Sequence, residues 1–335
     1  AFPAAPHVGE DLGWRGFDRL EPARGEITAE EVTNRILGWL GARDGSRPFF
    51  AWLHYWDPHT PYAPPGAVAS AFYAGDPFSG DRRLADRPFL QKTHVGKDLM
   101  KWLGERRDPE YPSAMYAAEV HFVDRELGRV LRLLEERSLA ERTVIVVVGD
   151  HGESLGEHEI FYNHIGLYET QLRVPLIVRV PGLPAGVRSA TPVTHLDLAP
   201  TLAELFGVSL RHRPEGSSLV RLLAGNPAPD LEGDRRLVHE HAYNHQVALR
   251  SGVWKLIWPI TRKTKNPALI GEPALYDLTT DPNERHDLAS ERPEVVAELA
   301  ASLRAWTHVG RVPNGHDPKL NRAAVDRLRA LGYLQ

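Results

Sequence analysis

Two side chains of the kind that bind metal ions, Asp150 and His151, directly follow a run of β-branched residues. The run, residues 144–148 (VIVVV), predicts a strand buried on both faces, which is typical of a parallel sheet between helices. Ligands of such sheets bind beyond the carboxyl ends of the strands, where this pair falls. A glycine on each side of the pair lets the backbone turn sharply. We therefore expect chemistry at this strand end.

Two further histidines, His158 and His164, follow within the same loop. A carboxylate together with neutral imidazoles suits a hard or borderline divalent cation. The same pattern also fits a plainer interpretation, in which Asp150 caps the next helix and the histidines lie scattered on a surface loop. The density of ligand-type side chains in this short stretch favours a metal or oxyanion site.

A second predicted strand end also presents polar groups. Residues 49–56 are apolar enough for a buried strand, which the sequence DPHTP then stops abruptly. His59, held between two prolines, has little backbone freedom, which suits a donor that meets a developing oxyanion without reorganising. The alternative is a rigid turn with an exposed histidine. His54 lies within the aromatic run and is expected to be a hydrogen-bonded core histidine.

Six further features of the sequence are segments that follow one another in a fixed order: PFFAWLHYWDPHTPY, VIVVVGDHGESLGEH, LYETQLRVPLIVRVPG, THLDLAPTLAELFGV, LYDLTTDPNERHDLA and LRALGYL. Together they resemble the sulfatase family of the alkaline phosphatase superfamily. The resemblance covers residues 13–335 and implies an α/β fold with a largely parallel central sheet flanked by helices, followed by a smaller C-terminal subdomain with an antiparallel sheet and a helix.

The resemblance implies a role for four residues. Asp150 matches the family's aspartate metal ligand, and His151 occupies the next ligand position. His59 matches a histidine that contacts the ester or its leaving oxygen. His164 falls where many members place a lysine that binds the oxyanion, and a protonated imidazole can do the same work. Calcium is the ion expected first, while an imidazole ligand leaves manganese, zinc or iron open.

The identity of the ester remains open at this stage, because the position of His151 is Asn in many sulfatases and His in related phosphatases and phosphonate monoester hydrolases. The main hypothesis is a hydrolase of small-molecule or carbohydrate sulfate esters. The second is a phosphatase, phosphodiesterase or phosphonate monoester hydrolase. A third is a catalytically silent chain that binds a cation or an anion without turning over a substrate.

The nucleophile of the family is absent from the matching segments. Members attack the ester with a Cys-derived formylglycine, or in relatives with Ser or Thr, from an N-terminal segment that also brings aspartate ligands. This chain has no cysteine, and the resemblance implies that it corresponds to the C-terminal portion of a longer protein, with on the order of 100 residues preceding it. Thr60 and Ser154 could replace the nucleophile, but both are expected to be turn residues, because no base is evident beside either.

Composition describes a large globular protein of 335 residues, with 42% hydrophobic and 25% charged residues and a formal net charge of -4. That charge argues against a dedicated nucleic-acid binder, since the basic residues form only short clusters of mixed sign. No stretch approaches the roughly 20 apolar residues of a membrane span. A periplasmic or secreted location follows from the resemblance only.

The pattern of elements predicts two domains, a sulfatase-type α/β domain over residues 1–230 and a C-terminal subdomain over residues 231–335. Helices are expected over residues 28–42, with Thr28 and Glu31 as a capping box, and over residues 112–137. Residues 64–112 are expected to form an irregular insertion. The remaining predicted elements are strands 176–180, 237–241, 247–250, 255–258 and 275–278 and helices 198–206 and 293–306.

Three histidines of the second subdomain are further candidates. His239 and His241 alternate on one face of a predicted strand, and His245 follows a predicted turn. They could line the substrate pocket or bind a second metal ion, or they could be exposed polar residues at the edge of the sheet.

Overall fold

The structure is a computed structural model that describes residues 2–3, 17–19, 21, 26–45, 47–92, 96–231, 235–241, 246–259 and 272–309. The chain forms two compact units. The first unit contains the described residues up to Glu141 together with Ser154–Asn163. The second unit contains Arg142–Glu153 and the described residues from His164 onward. The predicted domain boundary near residue 230 stays a prediction.

Two helices form the centre of the first unit. Helix α1 (Ala29–Ala42) begins at Thr28, whose hydroxyl accepts a hydrogen bond from the Glu31 N–H at 3.4 Å, as the predicted cap requires. Helix α1 packs against a long helix that buries one apolar stripe, here named α5 (Glu110–Glu136). The buried apolar residues of the pair include Ala29, Val32, Ile36, Leu40, Met115, Ala118, Phe122, Val130 and Leu134.

The predicted strand over residues 49–56 is much shorter in the structure. Only β2 (Leu53–His54) is paired, in parallel with β1 (Phe2–Pro3). Phe50 and Trp52 are exposed, and His54 is half-buried rather than part of the core. An apolar run is buried only where neighbouring elements cover it. Among the described residues, this strand pairs with β1.

The region 64–112, predicted to be an irregular insertion, contains short helices, while its connections, among them residues 73–83 and 104–109, are irregular. It contains α2 (Gly66–Phe72), α3 (Pro88–Lys92) and α4 (Gly96–Leu103). Apolar residues at helical spacing explain the difference, because they are buried within the unit while glycines, prolines and charges occupy the connections. The buried residues include Val68, Leu84, Ala85, Phe89, Leu90, Leu99 and Leu103.

A short antiparallel pair completes the described part of the first unit. Strand β4 (Ser154–Leu155) pairs with β5 (Phe161–Asn163), and the turn between them contains His158 in the left-handed backbone region with φ 54°. The ring of Tyr162 in β5 is buried against Tyr62 and Trp102 in edge-to-face contacts.

In the second unit, β3 (Ile145–Val148) pairs with β6 (Leu176–Arg179) in antiparallel register, although a parallel arrangement was expected. The connection, residues 149–175, contains strands β4 and β5 and the short helix α6 (Glu169–Leu172), rather than the single crossover helix that usually joins parallel strands. The two strands are also not buried on both faces, since Val148 on β3 is 36% exposed and Ile177 on β6 is 64% exposed.

The predicted C-terminal antiparallel sheet and helix are confirmed. The sheet has the order β10 (Ala274–Asp277), β9 (Trp254–Pro259), β8 (Gln246–Ser251), β7 (Arg236–His241). Helix α9 (Pro293–Val309) packs against its central strands. Before the sheet come α7 (Leu198–Leu205), close to its predicted bounds, and α8 (Val220–Leu223). The core between sheet and helix contains Val247, Leu249, Leu256, Leu275, Leu299, Ala300 and Leu303.

Candidate functional site

Two backbone hydrogen bonds connect the turn that follows β3, residues 149–152, to α6 (Glu169–Leu172) and to the residues just after it. The Gly149 N–H donates to the Pro175 carbonyl oxygen at 3.2 Å, and the Gly152 N–H donates to the Gln171 carbonyl oxygen at 2.7 Å. Both ends of the turn are therefore held by backbone hydrogen bonds, which fixes where the two side chains between them project.

Gly152 is required by close packing rather than by its backbone angles. A Cβ atom at this position would lie 2.0 Å from the Thr170 carbonyl oxygen, a distance that no side chain tolerates. The backbone of the turn and the backbone of α6 (Glu169–Leu172) are thus in direct contact. The sequence analysis expects a glycine here because it allows a sharp turn. The structure adds a steric reason for it.

Asp150 and His151 present ligand atoms to one place. The Asp150 Oδ1 atom accepts the His151 N–H at 2.9 Å, and the Asp150 Oδ2 atom lies 3.8 Å from His151 Nε2. His151 Nδ1 lies 2.9 Å from the Gly152 carbonyl oxygen. Because a carbonyl oxygen only accepts, Nδ1 carries the proton in the neutral ring, and Nε2 keeps the lone pair that a metal ion needs.

The spacing of these two side chains fits two ligands of one divalent ion. Ligand atoms bound to the same ion at about 2.0 to 2.4 Å lie roughly 3 to 4 Å apart. Asp150 is 73% exposed and His151 is 35% exposed, so an ion from solution can reach them. Within the described residues, no group of three or more His, Cys, Asp or Glu side chains is gathered around one point.

His164 lies beside His151 in the same unit. The centroids of the two rings are 3.9 Å apart and their planes are inclined by 30°. His164 lies in the segment that leads into α6 (Glu169–Leu172), so the helix fastened to the 149–152 turn is also the one that this segment enters. The structure therefore brings together three of the four predicted site residues.

His195 contacts the same turn and was missed by sequence reasoning. Its Nε2 atom lies 2.7 Å from the Gly149 carbonyl oxygen and donates to it. The Thr194 N–H donates to Asp197 Oδ2 at 2.7 Å, which caps the short helical turn that carries His195. His195 lies in the segment THLDLAPTLAELFGV, but nothing in that segment links it with residue 149.

Glu153 is a second residue that the sequence did not single out. Burial raises the pKa of its carboxyl to about 8. Its Oε1 atom is buried and has no hydrogen-bond partner among the residues that the structure describes. A buried carboxyl without a partner is costly, and a nearby cation would compensate it.

His59, the fourth predicted site residue, belongs to the first unit. Its ring stacks on Trp56 with centroids 4.0 Å apart, and its Nδ1 atom lies 2.6 Å from the Thr60 carbonyl oxygen. Its N–H donates to the Trp56 carbonyl oxygen at 2.9 Å. The stacking and the Nδ1 contact hold the ring in place, as expected of a fixed donor. The Asp57–Pro58 and Thr60–Pro61 bonds are both cis.

Two carboxyls brace the segment that carries His59. Asp57 Oδ2 accepts the Ala29 N–H at 2.8 Å, and burial raises the pKa of Asp57. Glu119 on α5 accepts the Ala63 N–H at 2.6 Å, and its pKa is raised to about 8 by burial, reinforced by the charge of Asp57. Both carboxyls tie the turn to helices of the first unit.

Other candidates lie elsewhere. His158 belongs to the first unit, and Ser154 is a buried residue of strand β4 rather than a turn residue. His239 is half-buried, and burial together with the charge of Lys255 lowers its pKa to about 4. The side chain of His241 and all of residue 245 lie outside the described residues.

Comparison with protein families gives two matches along this chain. The family model described as Sulfatase matches residues 7–208, and the model described as N-sulphoglucosamine sulphohydrolase, C-terminal, matches residues 156–308. Arylsulfatase K of Rattus norvegicus is 26% identical over 310 residues, which cover 84% of this chain and 52% of that protein. The chain spans about half the length of the curated relatives it matches.

Solved structures share the fold. A protein solved in complex with its substrate D-glucosamine-2-N,6-O-disulfate has a TM-score of 0.62 and 20% identity, and the match covers 88% of this chain and 72% of that one. The phosphonate monoester hydrolase of Agrobacterium radiobacter also has a TM-score of 0.62, with 23% identity over 84% of this chain and 62% of that one. The predicted alkaline phosphatase-like α/β fold class is confirmed.

Proposed function

Because this chain belongs to the sulfatase family, we propose that it forms part of the active site of a hydrolase that cleaves sulfate esters at a divalent metal ion. The observation that supports the proposal is the geometry of the 149–152 turn. There the Oδ2 atom of Asp150 lies 3.8 Å from the Nε2 atom of His151, the ring nitrogen that keeps its lone pair. Donor type and spacing both suit a divalent cation.

In this proposal, Asp150 and His151 are two of the ion's ligands. A bound divalent cation would supply positive charge next to the ester oxygens, where negative charge develops as the bond to the leaving oxygen breaks. The buried Oε1 atom of Glu153, which has no hydrogen-bond partner among the described residues, supports a cation near this turn, because a positive charge would offset the cost of its burial. Calcium is the ion we propose first, on the family resemblance.

The two remaining histidines act on the ester itself. His164, whose ring lies against that of His151, is proposed to bind the peripheral oxygens of the ester as a cation or hydrogen-bond donor. His59, held by Trp56 and by the Thr60 carbonyl oxygen, is proposed to donate to the ester or its leaving oxygen. No described residue is assigned as the nucleophile.

The substrate class follows from the same reasoning. We propose a small-molecule or carbohydrate sulfate ester, in keeping with the relatives' names and with the protein solved with a glucosamine disulfate. The described residues contain no helix long and apolar enough to cross a membrane. A periplasmic or secreted location is proposed on the family resemblance, and separation of cell fractions followed by immunoblotting tests it.

One observation favours a second function within the same superfamily, the cleavage of phosphate or phosphonate esters. Position 151 carries a histidine whose Nδ1 is engaged by the Gly152 carbonyl oxygen, leaving Nε2 oriented as a ligand. An imidazole ligand suits manganese, zinc or iron better than calcium. A different ion would change which ester the site stabilises in its transition state.

Paired substrates separate the two functions. The full-length protein as encoded is assayed with aryl sulfate, aryl phosphate and aryl phosphonate esters that share one leaving group, after loading with calcium or manganese. The proposal predicts the highest kcat/KM for the aryl sulfate. A higher kcat/KM for the phosphate or phosphonate ester would replace the sulfatase assignment, and hydrolysis of none of them would favour a silent binding protein.

A further inference from the structure

A buried ion-pair network lies between the C-terminal sheet and α6. Lys255 on β9 has no exposed surface, and its Nζ atom lies 2.9 Å from Glu169 Oε1 and 2.7 Å from Glu284 Oε1. Glu284 Oε2 in turn accepts the Glu169 N–H at 2.5 Å. Lys255 and Glu284 together therefore hold both the side chain and the backbone of the first residue of α6.

The network contains cations and carboxyl groups in equal number. Arg250, which pairs with Lys255 across β8 and β9, places Nη1 3.6 Å from Glu169 Oε2. The two cations thus face the carboxyl groups of Glu169 and Glu284. Burial raises the pKa of Glu284, and the charge of Lys255 opposes that shift. Burial and the charge of Lys255 keep the nearby His239 neutral. Although burial opposes ionisation, Lys255 and Arg250 hold the pKa of Glu169 below its ordinary value, so that this residue stays charged.

Such a network is weak evidence for stability, because removing the charges from water offsets most of the attraction between them. Apolar side chains of similar size would fill the same space without that cost. Ion pairs instead constrain the geometry of the groups they join, since each oxygen and nitrogen has a fixed partner. The segment that benefits is α6, a single turn of four residues that is too short to be stable alone.

The 149–152 turn is in direct contact with α6. Gly152 donates to the Gln171 carbonyl oxygen at 2.7 Å, and the space for a Gly152 Cβ atom is taken by the Thr170 carbonyl oxygen. A displacement of α6 must therefore move the turn as well. Asp150 and His151 are the two residues that directly precede Gly152 in that turn.

We propose that Lys255 is a positioning residue, which through Glu169 and Glu284 fixes α6 and thereby the turn that presents Asp150 and His151. Its role in catalysis rests on the proposed function, while the physical coupling between Lys255 and the turn does not. Lys255 itself contacts neither ester nor ion. It acts by keeping the backbone of the turn in one place.

The first test uses the wild-type full-length protein and amide hydrogen exchange. If Lys255 fastens α6 and the turn together, the amides of Glu169 and Gly152 open in the same local event and exchange with similar protection. A Gly152 amide that exchanges about a hundredfold faster than the Glu169 amide would overturn the coupling, since the turn would then open without the helix.

The second test replaces the network while keeping its charge balanced. Lys255→Met alone leaves two buried carboxylates and can unfold the protein, so Lys255→Met is combined with Glu284→Gln, which retains an oxygen for the Glu169 N–H. The matched control is Lys101→Met with Asp98→Asn, which removes an exposed ion pair from α4. Melting temperature, exchange at Gly152 and steady-state kinetics are measured for both.

The proposal predicts that the buried double variant remains folded, exchanges its Gly152 amide at least about tenfold faster, and loses about tenfold or more in kcat with KM little changed. The control should match the wild type in all three. Wild-type exchange at Gly152 in the buried variant would overturn the proposal. If exchange accelerates but the wild type hydrolyses no ester, the coupling stands and the proposed function fails.

Discussion

The imidazole rings of His151 and His164 lie against each other, with centroids 3.9 Å apart. One ring belongs to the proposed metal ligands and the other to the proposed ester-binding group. In the proposed site, this contact would put the cation and the ester oxygens in neighbouring positions, as hydrolysis of a charged ester needs. His151 lies in the 149–152 turn, which is hydrogen-bonded to α6 through the Gly152 N–H, and His164 lies in the segment that leads into α6.

Replacing His164 tests the ester-binding role. His164→Ala removes a donor to the developing negative charge and should lower kcat/KM by about a hundredfold or more. His164→Lys, which introduces the residue that many members of the family have here, should retain activity to within about tenfold. His121→Ala, a histidine on α5 in the first unit, is the control for loss of an imidazole elsewhere. Equal activity in His164→Ala and the wild type would contradict the role.

Replacing Gly152 tests the fit between the turn and α6. Gly152→Ala puts a methyl group 2.0 Å from the Thr170 carbonyl oxygen, so the turn must move away from the helix. A displacement of about 1 Å at catalytic groups can cost about a hundredfold in rate, and we expect kcat/KM to fall by that order. The steady-state kinetics of the purified variant provide the measurement.

The control for that substitution is Gly38→Ala, because a Cβ atom at residue 38 would have no atom within 4 Å. This change lies within α1 and should raise the free energy of unfolding by about 0.5 to 1 kcal/mol with no change in activity. The steric argument fails if Gly152→Ala is as active as Gly38→Ala.

Glu119 makes stability depend on pH. Its pKa is about 8 in the folded protein, above the ordinary value of 4.5. Between these values the folded state holds a proton that the unfolded state has lost. The contribution of Glu119 to the free energy of unfolding is therefore largest below about pH 4.5 and declines up to about pH 8. The decline is at most about 1.4 kcal/mol per pH unit.

The test is Glu119→Gln, which retains an oxygen for the Ala63 N–H and cannot ionise. Relative to the wild type, the variant should gain stability as the pH rises from 5 to 8, measured by urea unfolding at several pH values. Glu105→Gln, at a largely exposed position, is the control and should show no such trend. A constant difference between wild type and Glu119→Gln across this range would show that burial does not shift this pKa.

Local sequence signals predicted local structure well. Thr28 and the first turn of α1 follow the capping rule, and the spacing of Val247, Leu249 and Leu256 correctly predicts strands that share a core with a C-terminal helix. Strand pairing was harder. The run at residues 144–148 signals a strand, but its direction relative to β6 depends on the path of the long connection between them, which the sequence does not reveal.

The site was predicted in part for the same reason. Asp150, His151 and His164 are near one another in sequence, and their grouping follows from a single loop. His195 and Lys255 reach that loop from distant elements, through a carbonyl oxygen and through α6. Contacts of this kind depend on tertiary packing, so one sequence gives no periodicity or motif from which to infer them.

The most direct test of the central claim is to measure divalent ion binding at the 149–152 turn. Calorimetric titration with calcium and with manganese is carried out on the metal-depleted full-length protein, its Asp150→Ala variant and the control Asp98→Ala, which removes an exposed carboxylate. We predict that the wild type and the control bind one ion that raises the melting temperature, and that Asp150→Ala loses this binding together with activity. Unchanged ion binding and activity in Asp150→Ala would contradict a metal site at this turn.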